Sequence, residues 1–157
     1  MRSNNPYRRL TKPGKTSPGI SKSAEQQIKI LMKKDQLEYL SVADSIHALP
    51  SALMNDFEFL KNHLYLKKAG IRLGKSGENG WIPDHELALA NFLKADTPSI
   101  KVSKSDALRY LRGENFESGE KEKGWRTVSF LGWRIGWVKI LDNRMNNYYP
   151  KSWRIRQ

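Results

Sequence analysis

Lys121 to Gln157 reads KEKGWRTVSFLGWRIGWVKILDNRMNNYYPKSWRIRQ, and two β-rich runs inside it, Trp125 to Leu131 and Trp133 to Leu141, are separated by Gly132. Two such runs around a glycine are a hairpin signal. Gly136 lies within the second run, where glycine marks a bulge or a close backbone approach. Asn146 to Arg154 reads as an irregular tail, because Pro150 interrupts any ladder. The stretch holds four of the five tryptophans, and nine Lys/Arg stand against Glu122 and Asp142, a net charge of +7. Cations attract phosphate and flat rings accept unstacked bases, so the mixture suits a single-stranded or looped RNA surface.

Immediately upstream, Ser99 to Val102 has strand character. Ser103 is placed to cap a helix over 104–112, with Asp106 at the capping-box position and Gly113 just past the last turn. Ala107, Leu108 and Leu111 are its expected buried face. Asp96-Thr-Pro98 separates this module, 98–157, from an α+β module over 23–97. There Ser23 and Gln26 form a capping-box pattern ahead of Ile28, Leu31 and Met32, which predicts a helix over 24–34. Strand character follows in Leu40–Leu49 and His63–Leu73, with a short helical turn between Ser51 and Lys61. Gly74, Gly77, Asn79 and Gly80 form a turn cluster. Pro83 sits at the expected first position of a helix over Asp84–Lys94, with Leu87, Leu89, Ala90 and Leu93 on its apolar side. Residues 1–22 are rich in Pro, Gly, Ser and cations, lack an apolar period, and predict a flexible basic arm.

The charge is unevenly placed. Residues 1–24 carry +6, residues 25–120 carry −1, and the last 37 residues bring the total to +12. Two basic ends around a neutral middle suggest a polyanion partner. A hydrophobic fraction of 38% in 157 residues is enough for one domain or two small modules with cores. Cysteine is absent, which excludes disulfides, thiolate metal sites and a cysteine nucleophile, and suits the reducing cytosol. No apolar run approaches ~18 residues and no signal core opens the chain, so neither a membrane span nor secretion is expected.

Catalytic readings find little support. His47, His63 and His85 lack metal-ligand spacing, and no metal site is expected. Asp84 and Glu86 flank His85, but neighbouring helix positions diverge by about 100° and would not converge on one atom. Gly74-Lys-Ser-Gly77 hints at a phosphate loop yet lacks the G-x-x-x-x-G-K-[ST] spacing. Binding readings fare better. Arg134, Lys139, Arg144, Lys151, Arg154 and Arg156 are candidate phosphate contacts. Trp125 and Trp137 lie in β-runs and are expected in the core, whereas Trp133 beside the turn is a candidate stacking platform. Tyr148 and Tyr149 cannot both point inward in an extended segment, so one should be available to a base. Asn143, Asn146 and Asn147 are candidates for reading base edges, or for building turns.

Leu131-Gly-Trp-Arg-Ile-Gly136-Trp-Val-Lys139, then Arg144, Asn147-Tyr-Tyr-Pro-Lys151 and Arg154, resembles the end of bacterial Nol/Nop/Sun rRNA cytosine-5 methyltransferases of the RsmF kind. Ala48-Leu-Pro50, Lys68-Ala-Gly70-Ile-Arg-Leu-Gly74, Trp81-Ile-Pro83-Asp-His85-Glu-Leu-Ala-Leu89 and Tyr110-Leu-Arg-Gly-Glu114 are similar to the segment preceding that end. The similarity runs in order over about 45–157. It implies an α+β protein of two small modules, the second a PUA-like β-barrel with the capped helix at 104–112. It implies an RNA-binding module for ribosomal RNA, with 16S rRNA or the small ribosomal subunit as partner and a cytoplasmic location. Trp133, Arg134, Lys139, Arg144, Asn147, Tyr148, Tyr149, Lys151 and Arg154 are the expected RNA contacts. The family's catalytic core binds S-adenosylmethionine and attacks cytosine through cysteine. This chain has neither cysteine nor a glycine-rich cofactor loop, so neither catalysis nor a cofactor is expected of it. The alternative is a protein-interaction module that docks on a separate methyltransferase core.

Overall fold

The computed structural model describes residues 7–9, 22–33, 36–42, 44–77, 80–142 and 144–156, except the side chains of 7–9, 22–25 and 76. The chain divides into two compact units, Met1–Phe92 and Leu93–Gln157. The division falls slightly ahead of the Asp96-Thr-Pro98 boundary.

The first unit is built on a five-stranded antiparallel meander in sequence order: β1 (Tyr7–Arg9), β2 (Leu37–Val42), β3 (Ser45–Pro50), β4 (Ile71–Gly77) and β5 (Gly80–Pro83). Within the expected arm, Tyr7–Arg9 is therefore an edge strand paired with Leu40–Val42, and residues 1–6 and 10–21 lie outside the described residues. Helix α1 (Lys22–Leu31) starts before Ser23, so Ser23 is not its cap. Leu40, Leu49, Met54 and Phe57 form a core that joins the sheet to α2 (Met54–His63), with a 3-10 turn at Ser51–Leu53 leading into it.

Further expectations for this unit change. The strand expected over His63–Leu73 begins only at Ile71, since His63 closes α2. The Leu40–Leu49 region is a hairpin of two strands rather than one. The expected turn cluster is largely strand, since Gly74 and Gly77 belong to β4 and Gly80 opens β5. The helix expected over Asp84–Lys94 is a single turn, α3 (His85–Leu89), in which Asp84 is the cap and its carboxylate accepts from Glu86 N. Leu87 and Leu89 are two residues apart and project to opposite sides of a helix, so no long helix could bury both; Leu87 is buried and Leu89 exposed.

The second unit carries a four-stranded sheet in the order β6 (Ser99–Lys101), β7 (Gly124–Phe130), β8 (Trp133–Ile140), β9 (Met145–Asn147). The crossover from β6 to its parallel partner β7 is made by α4 (Lys104–Arg112), and the remaining pairs are antiparallel. Among the described residues the sheet is open, with β6 and β9 at its edges, so the expected barrel is not closed.

Helix α4 begins where local chemistry places it. Ser103 Oγ accepts from Asp106 N at 3.2 Å, and Gly113 ends the helix at φ 82. Glu114 N donates to Arg109 O and Gly113 N to Tyr110 O, a Schellman ending that only a residue tolerant of positive φ supports well. Its buried face is Ala107 and Tyr110, with Leu111 partly buried. Leu108, one step round from Ala107, is exposed, which corrects its expected place inside. Tyr110 is fully buried, and its hydroxyl donates to Trp137 O at 3.1 Å. Ile100, Phe116, Val128, Val138, Ile140 and Met145 complete the core around it.

Candidate nucleic-acid interface

Pairing register divides the second unit's sheet into two faces. Val138 and Ile140 on β8 and Met145 on β9 point to the core, and Val138 pairs with Asn147. Because successive strand residues alternate, Asn147 belongs to the core side and Asn146 and Tyr148 to the other.

The core side accounts for two expected contacts. Asn147 Nδ2 donates to Tyr110 O and Glu114 O, both at 2.9 Å, and its Oδ1 accepts from Tyr149 N at 2.8 Å. With both N–H groups held by backbone, Asn147 ties β9 to the end of α4 and does not read base edges. Tyr149 packs edge-on against Tyr110, with ring centroids 5.4 Å apart, and belongs to the core. Arg154 is also engaged locally. Its guanidinium lies against Gly113, where an added Cβ would sit 2.3 Å from Cζ. A cation over the C-terminal end of α4 also suits the helix dipole.

The opposite face collects the remaining aromatics. Trp125 pairs with Lys139, and Lys139 with Asn146, giving one row across three strands. Lys139 Nζ stands 5.4 Å from the centre of the Trp125 ring, within cation–π range. Tyr148 meets the same indole edge-on at 4.5 Å, and Trp137 does so at 6.4 Å. Trp137 is almost fully buried, as expected, whereas Trp125 and Tyr148 are half-buried and so keep ring surface available. Trp125 was expected in the core. Its membership of this cluster follows from cross-strand register, which the linear sequence does not display. Exposed Arg144 occupies the turn between β8 and β9, at the same end of the sheet, where Lys123 pairs with Asp142.

Other candidates lie apart. Arg134 Nη2 donates to Lys94 O at 2.8 Å and fastens the segment entering the unit. Lys151 and Trp153 are exposed on a 3-10 turn after Pro150, and Trp153 was not anticipated. Trp133 is 78% exposed, at the far end of the β7–β8 hairpin. Asn143 lies outside the described residues.

Arg126, buried on the core side, clasps Glu122 at 2.7 Å and Glu120 at 3.9 Å. Arg109 faces Asp106 and Glu114. Five acids of this unit, Asp106, Glu114, Glu120, Glu122 and Asp142, are thus matched locally, while Lys101, Lys104, Lys139, Arg144, Lys151 and Arg156 have no carboxylate partner among the described residues.

In the first unit, polar side chains build a closed network rather than an open site. Glu86 accepts from Lys68 Nζ at 2.6 Å and from Arg72 N at 3.1 Å, and Asp84 lies 3.4 Å from Arg72 Nε. Asp84 and Glu86 therefore do converge, on Arg72, because Asp84 is an extended cap rather than a helical residue. Burial raises the Glu86 carboxyl, but the Lys68 and Arg72 hydrogen bonds outweigh it and hold the group below the usual value. Burial lowers His47 and His85 below the ordinary histidine value. The Gly74-Lys-Ser-Gly77 segment is strand, with Gly74 and Lys75 paired to both β3 and β5 and the rest to β5, and forms no phosphate loop. Among the described residues no group of three His, Asp or Glu side chains could hold a metal ion, and no helix is long and apolar enough to cross a membrane.

Residues 97–155 match the family described as the methyltransferase RsmF PUA domain. Over this segment the chain is similar to an RsmF-type PUA domain. Ribosomal RNA small subunit methyltransferase F of Shewanella loihica is 34% identical over 90 residues, which cover 55% of this chain and 18% of that protein. The chain thus spans under a fifth of the length of the curated relative it matches. The matched segment contains the hairpin, α4 and the aromatic cluster, in accord with the resemblance read from the sequence.

Proposed function

We propose that this chain is an RNA-binding module serving an rRNA methyltransferase of the RsmF type, with the second unit supplying the RNA surface. The observation that carries the reading is the Trp125–Tyr148 pair with Lys139 over the indole, at the same end of the sheet as Arg144; Lys151 and Arg156 add exposed cations on the tail. A ring held edge-on by its neighbours and overlaid by a cation is a rigid platform, and rigid platforms stack on a base at little cost in side-chain entropy. Lysine and arginine without carboxylate partners exchange their counterions for phosphate, which gives affinity without sequence preference. Trp133 and Arg134 lie at the other end of the β7–β8 hairpin and Arg154 against Gly113, outside this platform, whereas Asn147 and Tyr149 support it from the core side. The RNA is ribosomal, from the small subunit, by analogy with the named substrate of the relative. The chemistry belongs to a methyltransferase core that binds S-adenosylmethionine; this chain has no cysteine to attack a cytosine ring.

The test is binding of structured RNA across a salt series. Four to six phosphate contacts should give a log–log slope of about −3 to −5. Lys139, Arg144 and Lys151 changed together to Ala should weaken binding at least about tenfold, or ~1.4 kcal/mol, and make the slope shallower. No binding at low salt, or a flat slope, removes the reading. A protein-docking role is favoured by one observation in the first unit: Phe59, Leu60, Leu64 and Tyr65 are all exposed along and just after α2. If the triple variant binds RNA like the parent, that role takes precedence.

A further inference from the structure

The tip of the β7–β8 hairpin is built against its own stability. Leu131 and Gly132 form a two-residue turn closed by the Phe130–Trp133 pair, with φ of 51 and 84. Positive φ at both positions is the type I′ requirement, which Asn-Gly meets and a leucine meets only with strain. Leu131 is the one non-glycine residue at positive φ among those described, and it is 81% exposed beside the equally exposed Trp133. A strained turn residue that buries nothing gives the folded chain no return. Cations flank the tip: β6 pairs Lys101 with Ser129, and β7 pairs Ser129 with Arg134, so the two lie in one row just behind the turn. The Trp125 platform is at the other end of the hairpin, five residues back along β7 or about 17 Å.

We propose that the hairpin tip is a second RNA contact, separate from the Trp125–Tyr148 platform, in which Leu131 and Trp133 form an apolar wedge for a bulged or looped-out base. Lys101 and Arg134 hold the phosphates on either side of that base. The proposal rests on the RNA-binding reading and narrows it to a helix interrupted by an unpaired nucleotide. A continuous stem offers the wedge no open ring, since paired bases are already stacked on both faces.

The experiment uses the full chain and two RNAs: a hairpin whose stem carries a one-nucleotide bulge of 2-aminopurine, and the same stem fully paired. Leu131→Asn should melt no lower than the parent, because asparagine suits the turn, yet bind the bulged RNA several-fold more weakly. Trp133→Ala should weaken bulged RNA about tenfold or more and abolish the change in 2-aminopurine fluorescence on binding. Neither variant should alter the salt slope, because no counterion is exchanged by an apolar wedge, and neither should alter binding to the paired stem. Lys101→Ala should instead flatten the slope. Parent-like binding of bulged RNA by both apolar variants would overturn the wedge while leaving the RNA reading intact. So would equal losses on bulged and paired stems, or a lower melting temperature for Leu131→Asn. Failure of the parent to bind either RNA would remove the RNA reading itself, and the wedge with it.

Discussion

Replacing Asn147 with alanine separates a structural side chain from a ligand-reading one. The substitution removes three hydrogen bonds, to Tyr110 O, Glu114 O and Tyr149 N. Each is worth about 1 kcal/mol net. Glu114 is exposed and water can replace its partner, so the expected loss is about 2 kcal/mol. For a unit of this size that corresponds to a fall in melting temperature of roughly 8–16 °C. Asn147→Asp is the sharper variant: it keeps the acceptor for Tyr149 N but sets a carboxylate against two carbonyl oxygens. It should be less stable than Asn147→Ala at pH 7, and recover part of the difference when acid protonates the new carboxyl and restores one donor. Urea unfolding followed by tryptophan fluorescence gives the stabilities, and RNA titration below the transition gives the affinity, which should match the parent's. An alanine variant within about 0.5 kcal/mol of the parent that binds RNA weakly would show that Asn147 faces the ligand after all.

The tyrosine pair should split. Tyr149→Ala should lower stability by several kcal/mol, about 3, since its ring packs on Tyr110. Tyr148→Ala should chiefly reduce RNA affinity, by ~1–3 kcal/mol; equal effects of both changes on melting would count against the two-face assignment. Gly136 is buried at φ 149, beside the bulge that leaves Ile135 without a partner on β7. Gly136→Val should therefore destabilise the unit by about 1–3 kcal/mol, read as a lower urea midpoint. Stability should also fall as pH drops below about 6.5, because His47 and His85 have folded values lowered by burial. A depressed histidine holds its contribution above the unfolded value and loses it as acid forces protonation. Identical urea midpoints at pH 7.5 and 5.5 would contradict this.

Signals confined to a few residues were legible in the sequence. Ser103, Asp106 and Gly113 place α4 at both ends because capping is a local hydrogen-bond problem. Gly132 places the β7–β8 turn, and Gly136 marks its bulge. The β2–β3 hairpin is hard to read because its turn is marked only by Asp44 and Ser45, with no Gly, Asn or Pro to punctuate the run. Strand β5 was hidden by Pro83, which reads equally well as a helix start or as the last residue of an edge strand. Alternation shows that Tyr148 and Tyr149 diverge, but which one meets the core depends on the pairing of Asn147 with Val138. Registers of that kind arise from tertiary packing and leave no mark in a single strand. The Trp125–Lys139 contact escaped for the same reason, and closure of a barrel came from family resemblance rather than from any pattern in the chain.

An open sheet has consequences for solubility that a closed one avoids. Each exposed edge offers unpaired N–H and C=O groups to another copy, the usual start of edge-to-edge aggregation. Here both borders of the C-terminal sheet are three residues long. Lys101 sits on one, and the other runs within three residues into Pro150, which cannot donate to a ladder. A neighbouring chain docking on either side could extend the ladder by no more than a few bonds. That brevity keeps the C-terminal unit from templating its own fibres at high concentration.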